Sequence, residues 1–325
     1  MQNKCFLVTV APHLTAGETV SKAMRDTMLA LMPVTLVAVY FFRVYAVFFI
    51  AVCMATAAIT EVVFRRIKNQ SHSLHDGSAL LTGLFVALLF SATTAWWKGA
   101  LATIIAVGVA KELMGGLGWN RFNPALFGRV SMILLAPWMV NISTEFMQWN
   151  VSFGPVDVMT HATPLAMLQQ NMELPGVLNL FVGFPGGAMG EASPLALLIG
   201  GGYLLYRGHI NWRIPVAILS TVFVLATLAG QNPLLHMVTG GLMLGALFMA
   251  TDWVTSPINP KGKLVFGVLI GILIVVFRIG LAPTEGVAFS ILIMNAFVPR
   301  IEAATKRVPF GEPVSKLAEN LVVHE

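Results

Sequence analysis

The apolar positions of this chain fall in long unbroken runs separated by short polar stretches, and strict alternation is almost absent. Runs of roughly 17 to 25 residues cross the ~30 Å hydrocarbon layer as helices, whereas a membrane barrel shows short alternating segments. The pattern therefore predicts an all-α, polytopic membrane protein with about ten transmembrane helices. They lie near residues 27–42, 44–64, 78–95, 99–117, 124–140, 192–206, 214–230, 237–253, 264–279 and 286–299. One segment departs from the pattern: residues 141–190, between the fifth and sixth runs, hold Asp157, Thr160, His161 and Thr163 and contain no lysine or arginine.

Charge orients these spans. With the amino terminus inside, the inner side receives Lys4, Lys22, Arg25, Arg65, Arg66, Lys68, Arg121, Arg207, Arg213, Lys261, Lys263, Arg300, Lys306, Arg307 and Lys316. The outer side receives Arg43, Lys98 and, at a span end, Arg278, while Lys111 and Arg129 fall within spans. This is the bias of the positive-inside rule, and it predicts cytoplasmic termini and an extracytoplasmic 141–190 segment. Composition agrees: 57% of residues are hydrophobic and 11% charged, where a soluble domain has about a quarter charged, and mean hydropathy is +0.79. The formal charge of +5 comes from basic residues dispersed at run ends, which speaks against a nucleic-acid partner. Cys5 and Cys53 form neither a CxxC pair nor a disulfide framework, so the chain by itself ligates no iron-sulfur cluster. The first residues, with Lys4, Pro12, His13, Glu18 and Lys22, lack the order of a cleaved signal, and the first span is expected to direct insertion.

The expected organisation is one membrane domain over 1–299: a first half (1–140), the extracytoplasmic segment (141–190) and a second half (191–299), followed by a cytoplasmic tail (300–325). TGLFVALLF at Thr82–Phe90, followed by Lys98-Gly99, is echoed by TGGLMLGALF at Thr239–Phe248, followed by Lys261-Gly262. Five spans in each half would make the halves inverted repeats, with a binding site between them near the midplane.

Several residues could carry chemistry. Pro164 pushes Thr163 toward an extended conformation that exposes its hydroxyl; the same pair also reads as a helix start, with Thr163 as N-cap and Pro164 at the first helical position. In GGLGWNRFNPALFGR, Pro124 opens a helix, while Asn120 and Asn123 offer amides, and Gly116 and Gly118 close backbone approach, to a flat ligand on the inner side. Glu61, Lys111, Glu112, Arg129 and Asp252 are ionisable residues in or at the edge of spans, which makes them functional candidates; Lys111 or Arg129 could equally neutralise Glu112. Asp76, beside Gly77 at the start of the third span, is a candidate for cation uptake, so the ion-path candidates are Asp76, Glu112 and Asp252. His72 and His75 have a spacing that could suit a metal, but no further ligand lies nearby and no metal site is expected. Gly241 with Gly245 and Gly267 with Gly271 are small-xxx-small pairs of the kind found between packed membrane helices.

The stretches DGSALLTGL (76–84), KELMGGLGWNRFNPALFGR (111–129), DVMTHATPL (157–165), GEASPLALLIGG (190–201), ATDWVTSP (250–257) and PTEGVAFSILIMNAFVP (283–299) together resemble one family over nearly the whole chain. It comprises the D subunits of Rnf complexes, ion-pumping ferredoxin:NAD oxidoreductases, and the related B subunits of sodium-translocating NADH:quinone oxidoreductases; the short amino-terminal segment favours the Rnf branch. The resemblance implies a urea-transporter-like fold in a bacterial or archaeal cell (inner) membrane. It also implies covalent FMN, held as a phosphoester by the last threonine of a D-x-x-[ST]-x-A-T motif. Here that motif is Asp157, Thr160, Ala162 and Thr163, with Thr163 the acceptor and His161 standing where many relatives have glycine. A non-covalent riboflavin near the paired asparagines, Asn120 and Asn123, is implied by the quinone-reductase branch. The implied partners are an FMN-bearing extracytoplasmic subunit, iron-sulfur membrane subunits, an NAD-binding subunit and a flavin transferase for maturation, with Na+ or H+ as the coupling ion and no catalysis by this chain alone. The competing reading is a solute channel or transporter of the same fold without a redox cofactor.

Overall fold

The computed structural model describes residues 19–69, 74–91, 94–146, 164–169, 175–280 and 284–306, with backbone alone for 136–146 and part of 164–169. The described residues are helical and contain no strand. Three helices are long and apolar enough to cross a membrane: α1 (Val20–Ile67), α11 (Pro260–Gly280) and α12 (Gly286–Ala304).

At 1.5 Å per residue α1 would be about 72 Å long, twice what a bilayer needs. It breaks at Arg43 (φ 51°, ψ −131°), between the first two predicted spans. Gly77 lies against Met24 and Met28, and the adjoining Ser78 reaches Glu61 through Lys111. Met24 and Glu61 therefore lie at the same end, and the two halves of α1 run in opposite directions.

The remaining helices are α2 (Ser78–Leu89), α3 (Trp96–Ile104, continued as π-helix over Ile105–Leu113), α4 (Pro124–Phe146), α5 (Pro164–Gln169), α6 (Val177–Val182), α7 (Pro194–Tyr206), α8 (Arg213–Leu228), α9 (Pro233–Val238) and α10 (Leu242–Leu244, continued as π-helix over Gly245–Met249). In three of them a polar residue followed by proline caps the start. Asn123 accepts from the N–H groups of Ala125 and Leu126, Ser193 from Ala196, and Asn232 from Leu234 and Leu235, each filling donors a helix start leaves open.

Two predicted spans are not full-length helices. The third ends at Leu89, and the eighth is interrupted between α9 and α10, where Gly240 and Gly241 take positive φ (64° and 66°). The buried Arg278 of α11 holds the interruption, donating to the carbonyls of His236 (2.6 Å), Thr239 (2.8 Å) and Gly240 (3.2 Å). Unwound backbone at membrane depth survives only where protein satisfies it.

Small residues set the helix spacing. A Cβ at Gly200 of α7 would stand 1.9 Å from the carbonyl oxygen of Ala30, and Cβ atoms at Gly267 and Gly271 would each come within 2.7 Å of α8 side chains. The Gly241–Gly245 pair behaves otherwise than predicted: Gly245 packs on Val287, but Gly241 is a left-handed turn residue.

Candidate functional site

Two cavities lie back to back in the described core. The first, of about 110 Å3, is bounded by Ser78, Thr82, Asn120, Asn123, His209 and Asp252, among others. The second, of about 410 Å3, is bounded by Ser91, Arg129, Glu191, Gly240, Gly241 and Glu285, among others. Helix α2 begins beside the first cavity at Ser78 and reaches the second at Leu89; α10 begins beside the second at Gly241 and its chain reaches the first at Thr251. The two short helices thus run in opposite directions between the same two cavities. The wall between is thin: Asn123 Nδ2 donates to the carbonyl of Met249 (3.3 Å), and Met249 itself borders the second cavity.

At the first cavity the two asparagines differ. Asn123 is occupied, capping α4 through Oδ1 and tethering Met249 through Nδ2. Asn120, 5% exposed, donates to the carbonyl of Phe122 (3.3 Å), and its Oδ1 is buried with no hydrogen-bond partner among the described residues. Gly116 (φ 92°) and Gly118 (φ 93°) turn the preceding loop, while Leu117 between them reaches the cavity wall. Asp252 Oδ2 accepts from the Thr255 hydroxyl (3.0 Å).

Beside this cavity lies a buried charge cluster on the π-helical part of α3. Lys111 Nζ is 2.6 Å from Ser78 Oγ and 3.2 Å from Glu61 Oε2. Arg65 Nε lies 3.3 Å from Glu61 and 3.5 Å from Glu112. Lys68 donates to the main-chain carbonyl of Glu112. Asp76, the candidate for cation uptake, accepts from the N–H (2.7 Å) and hydroxyl (2.6 Å) of Ser78, and so caps α2. The sequence offered Lys111 or Arg129 as the neutraliser of Glu112; instead Lys111 pairs with Glu61, Arg65 stands beside Glu112, and Arg129 lies at the other cavity.

At the second cavity Arg129 forms an ion pair with Glu285 and stacks over the Phe90 ring (4.5 Å). Glu191, at the end of the 3-10 turn Met189–Glu191, lies against Gly241; its Oε2 is buried and lacks a hydrogen-bond partner among the described residues. Burial, reinforced by the charge of Glu285, pushes its carboxyl up to about 7 despite Arg129 and Arg278 nearby. The sequence pattern did not single out Glu191 or Glu285 and placed Arg278 merely at a span end. A usable signal existed: a carboxylate or guanidinium bordering an apolar run with no opposite charge within four residues.

Asp157, Thr160, Ala162 and Thr163 lie outside the described residues, as does His72. Pro164 does begin a helix. Leu165, two residues after Thr163, is 2% exposed, and a Cβ at Gly240 would stand 2.4 Å from it. The chain leaving Thr163 is therefore anchored at the wall of the second cavity. No group of three or more potential metal ligands occurs among the described residues.

Discontinuous helices, buried charge and back-to-back cavities define, over the described residues, a helical membrane protein with internal polar sites. Residues 7–311 match the NQR2, RnfD, RnfE family, and the chain belongs to it. It is 38% identical to the D subunit of the Na+-translocating ferredoxin:NAD+ oxidoreductase complex of Acetobacterium woodii, over 94% of this chain and 95% of that protein. It is 36% identical to the D subunit of the proton-translocating ferredoxin:NAD+ oxidoreductase complex of Clostridium ljungdahlii (96% and 98%). With the D subunit of the ion-translocating oxidoreductase complex of Stutzerimonas stutzeri it shares 34% identity (90% and 92%).

Proposed function

We propose that this chain is the membrane electron-transfer subunit of an ion-translocating ferredoxin:NAD+ oxidoreductase complex, carrying FMN as a phosphoester on Thr163. The observation that carries the reading is the anchorage of Leu165 at Gly240, on the wall of the second cavity. Two residues of chain span no more than about 7 Å, so a cofactor tethered at Thr163 is within reach of that cavity. Its volume of about 410 Å3 lies in the roughly 300–1,000 Å3 range of ligand sites. The residues suit a flavin ring: Arg129 supplies positive charge, Ser91 and Thr94 hydroxyls, and Gly240 and Gly241 a wall without side chains.

Bound there, the flavin supplies reversible electron storage, and the protein supplies orientation and tuning. Arg129, held by Glu285 and Phe90, favours added negative charge in the cavity, and Arg278 fixes the turn at Gly240 that shapes its wall. The side with few basic residues is the outside, so Thr163 is extracytoplasmic and the Asn120 cavity faces inward. The oppositely directed α2 and α10 support two inverted five-helix repeats of the urea-transporter-like kind, with unwound segments at the centre. Partner subunits bring and remove the electrons, and a flavin transferase attaches the cofactor.

A second, non-covalent flavin at the inner cavity is favoured by the orphaned Asn120 Oδ1, which can accept from a ring N–H. The cavity as it stands, about 110 Å3, is below the usual roughly 300 Å3 for such a ligand; a ring enters only if part of the wall moves aside.

The test is flavin fluorescence of the denatured chain after co-expression with a flavin transferase. Thr163→Val is expected to abolish the fluorescent band and Thr163→Ser to retain part of it. Undiminished covalent flavin in the valine variant would overturn the assignment; flavin-free wild type beside a modified control protein would return the solute-transporter reading.

A further inference from the structure

Glu191 is the carboxylate of the outer cavity whose bonding is left incomplete among the described residues. Arg129 of α4 is engaged by Glu285, which precedes α12. The terminal nitrogens of Arg278 in α11 are engaged by the carbonyls of His236, Thr239 and Gly240, its Nε is buried without a partner among the described residues, and His236 of α9 leans on Arg278 (3.4 Å). The turn at Gly240 and Gly241 contributes no side chain. Glu191 Oε2 is buried without a partner among the described residues, a state that disfavours the charged carboxylate and favours a proton on that oxygen. A metal cation fits poorly, since it would meet two guanidinium groups and one unpaired carboxylate, whereas a proton needs a single oxygen.

We propose that Glu191 is the proton acceptor of the outer cavity, its Oε2 binding one proton from extracytoplasmic water when one electron is stored there. This rests on the reading of Thr163 as the flavin carrier. The balance is simple: one electron passes from the reduced flavin or iron-sulfur carrier of a partner subunit to the tethered flavin, one O–H bond forms on Glu191, and the net charge of the cavity is unchanged. When the electron leaves, the bond breaks and the proton returns to water. Burial already holds the resting carboxyl near 7, so added negative charge beside it carries protonation through neutral pH. Glu191 acts on the potential of the cavity rather than on bond making in a substrate.

The experiment is an equilibrium redox titration of the covalent flavin in the purified complex at several pH values, for wild type, Glu191→Gln and Glu191→Asp. Redox-induced infrared difference spectra, with and without isotopically labelled glutamate, accompany it. Above about pH 7, the wild-type potential is expected to fall by about 59 mV for each tenfold drop in proton concentration, the one-electron, one-proton slope. The glutamine variant should show no slope and the aspartate variant should keep it. Reduction of the wild type should raise a protonated-carboxyl band that shifts with the label. A pH-independent wild-type potential, an equal slope in the glutamine variant, or a potential that follows sodium instead of pH would overturn the proposal. If the glutamine variant does not assemble, the wild-type infrared band decides alone, and its absence refutes the assignment. Failure of the parent reading looks different: no covalent flavin would be present to titrate.

Discussion

Replacing Lys111 with methionine isolates the buried charge cluster. Lys111 is 2% exposed, Glu61 0% and Glu112 1%, so none of these charges can be rescued by bulk water. In the wild type two carboxylates meet two cations, Lys111 and Arg65, with Lys68 engaged at a main-chain carbonyl. Methionine keeps the length of the side chain but leaves Arg65 to serve both Glu61 and Glu112, and it removes the donor that Ser78 Oγ accepts. Breaking a buried pair from one side costs about 3–5 kcal/mol. Because Arg65 stays 3.3 Å from Glu61, the expected loss is at the lower end, roughly 3 kcal/mol. The assay is reversible denaturation in mixed micelles followed by tryptophan fluorescence. The double variant Lys111→Met with Glu61→Gln restores the balance and should be more stable than the sum of the single losses by at least about 1 kcal/mol. A Lys111→Met protein within about 0.5 kcal/mol of wild type, the scatter of an uncoupled surface change, would refute the cluster as a coupled unit.

Two further predictions concern the cavities. Asn120→Ala should lose a non-covalent flavin from the purified complex while keeping stability and the covalent flavin. Asn123→Ala, by removing the α4 cap, should instead lower stability by about 1 kcal/mol; equal phenotypes in extracted flavin and denaturation would contradict their different bonding. Glu191 has a folded value of about 7 against a reference of 4.5. A raised carboxyl contributes stability that is fully present below the reference value and is lost as pH rises through the folded value. Wild type should therefore lose up to roughly 3 kcal/mol relative to Glu191→Gln between about pH 5 and about pH 8; parallel pH profiles of the two proteins would disprove it.

The helices were legible where apolar runs are bounded by caps. Asn123-Pro124 and Ser193-Pro194 announce α4 and α7, because a polar cap followed by proline has few other uses. The break at Arg43 was legible as a boundary between two runs, though its backbone conformation was not. The interruption at Gly240 was missed because an apolar window averages over it; only Arg278, some forty residues away in sequence, makes an unwound turn tolerable there. The same cause hid the pairing of Lys111 with Glu61, since ion partners on different helices leave no mark in local spacing. The resemblance supplied Thr163 and the paired asparagines, yet which asparagine has a free acceptor depends on the N–H groups of Ala125 and Leu126 taking Asn123 Oδ1 while Asn120 Oδ1 meets no donor among the described residues. Glu191 was overlooked because one carboxylate beside an apolar run looks like a helix start until Arg129, on another helix, proves to be taken by Glu285.

The most direct test of the account is peptide mass mapping across residues 157–170 of the chain purified after co-expression with a flavin transferase. The expected result is the mass of FMN less one water on the peptide, localised to Thr163 by fragmentation. An unmodified Thr163, in cells where a control flavoprotein is modified, would contradict it.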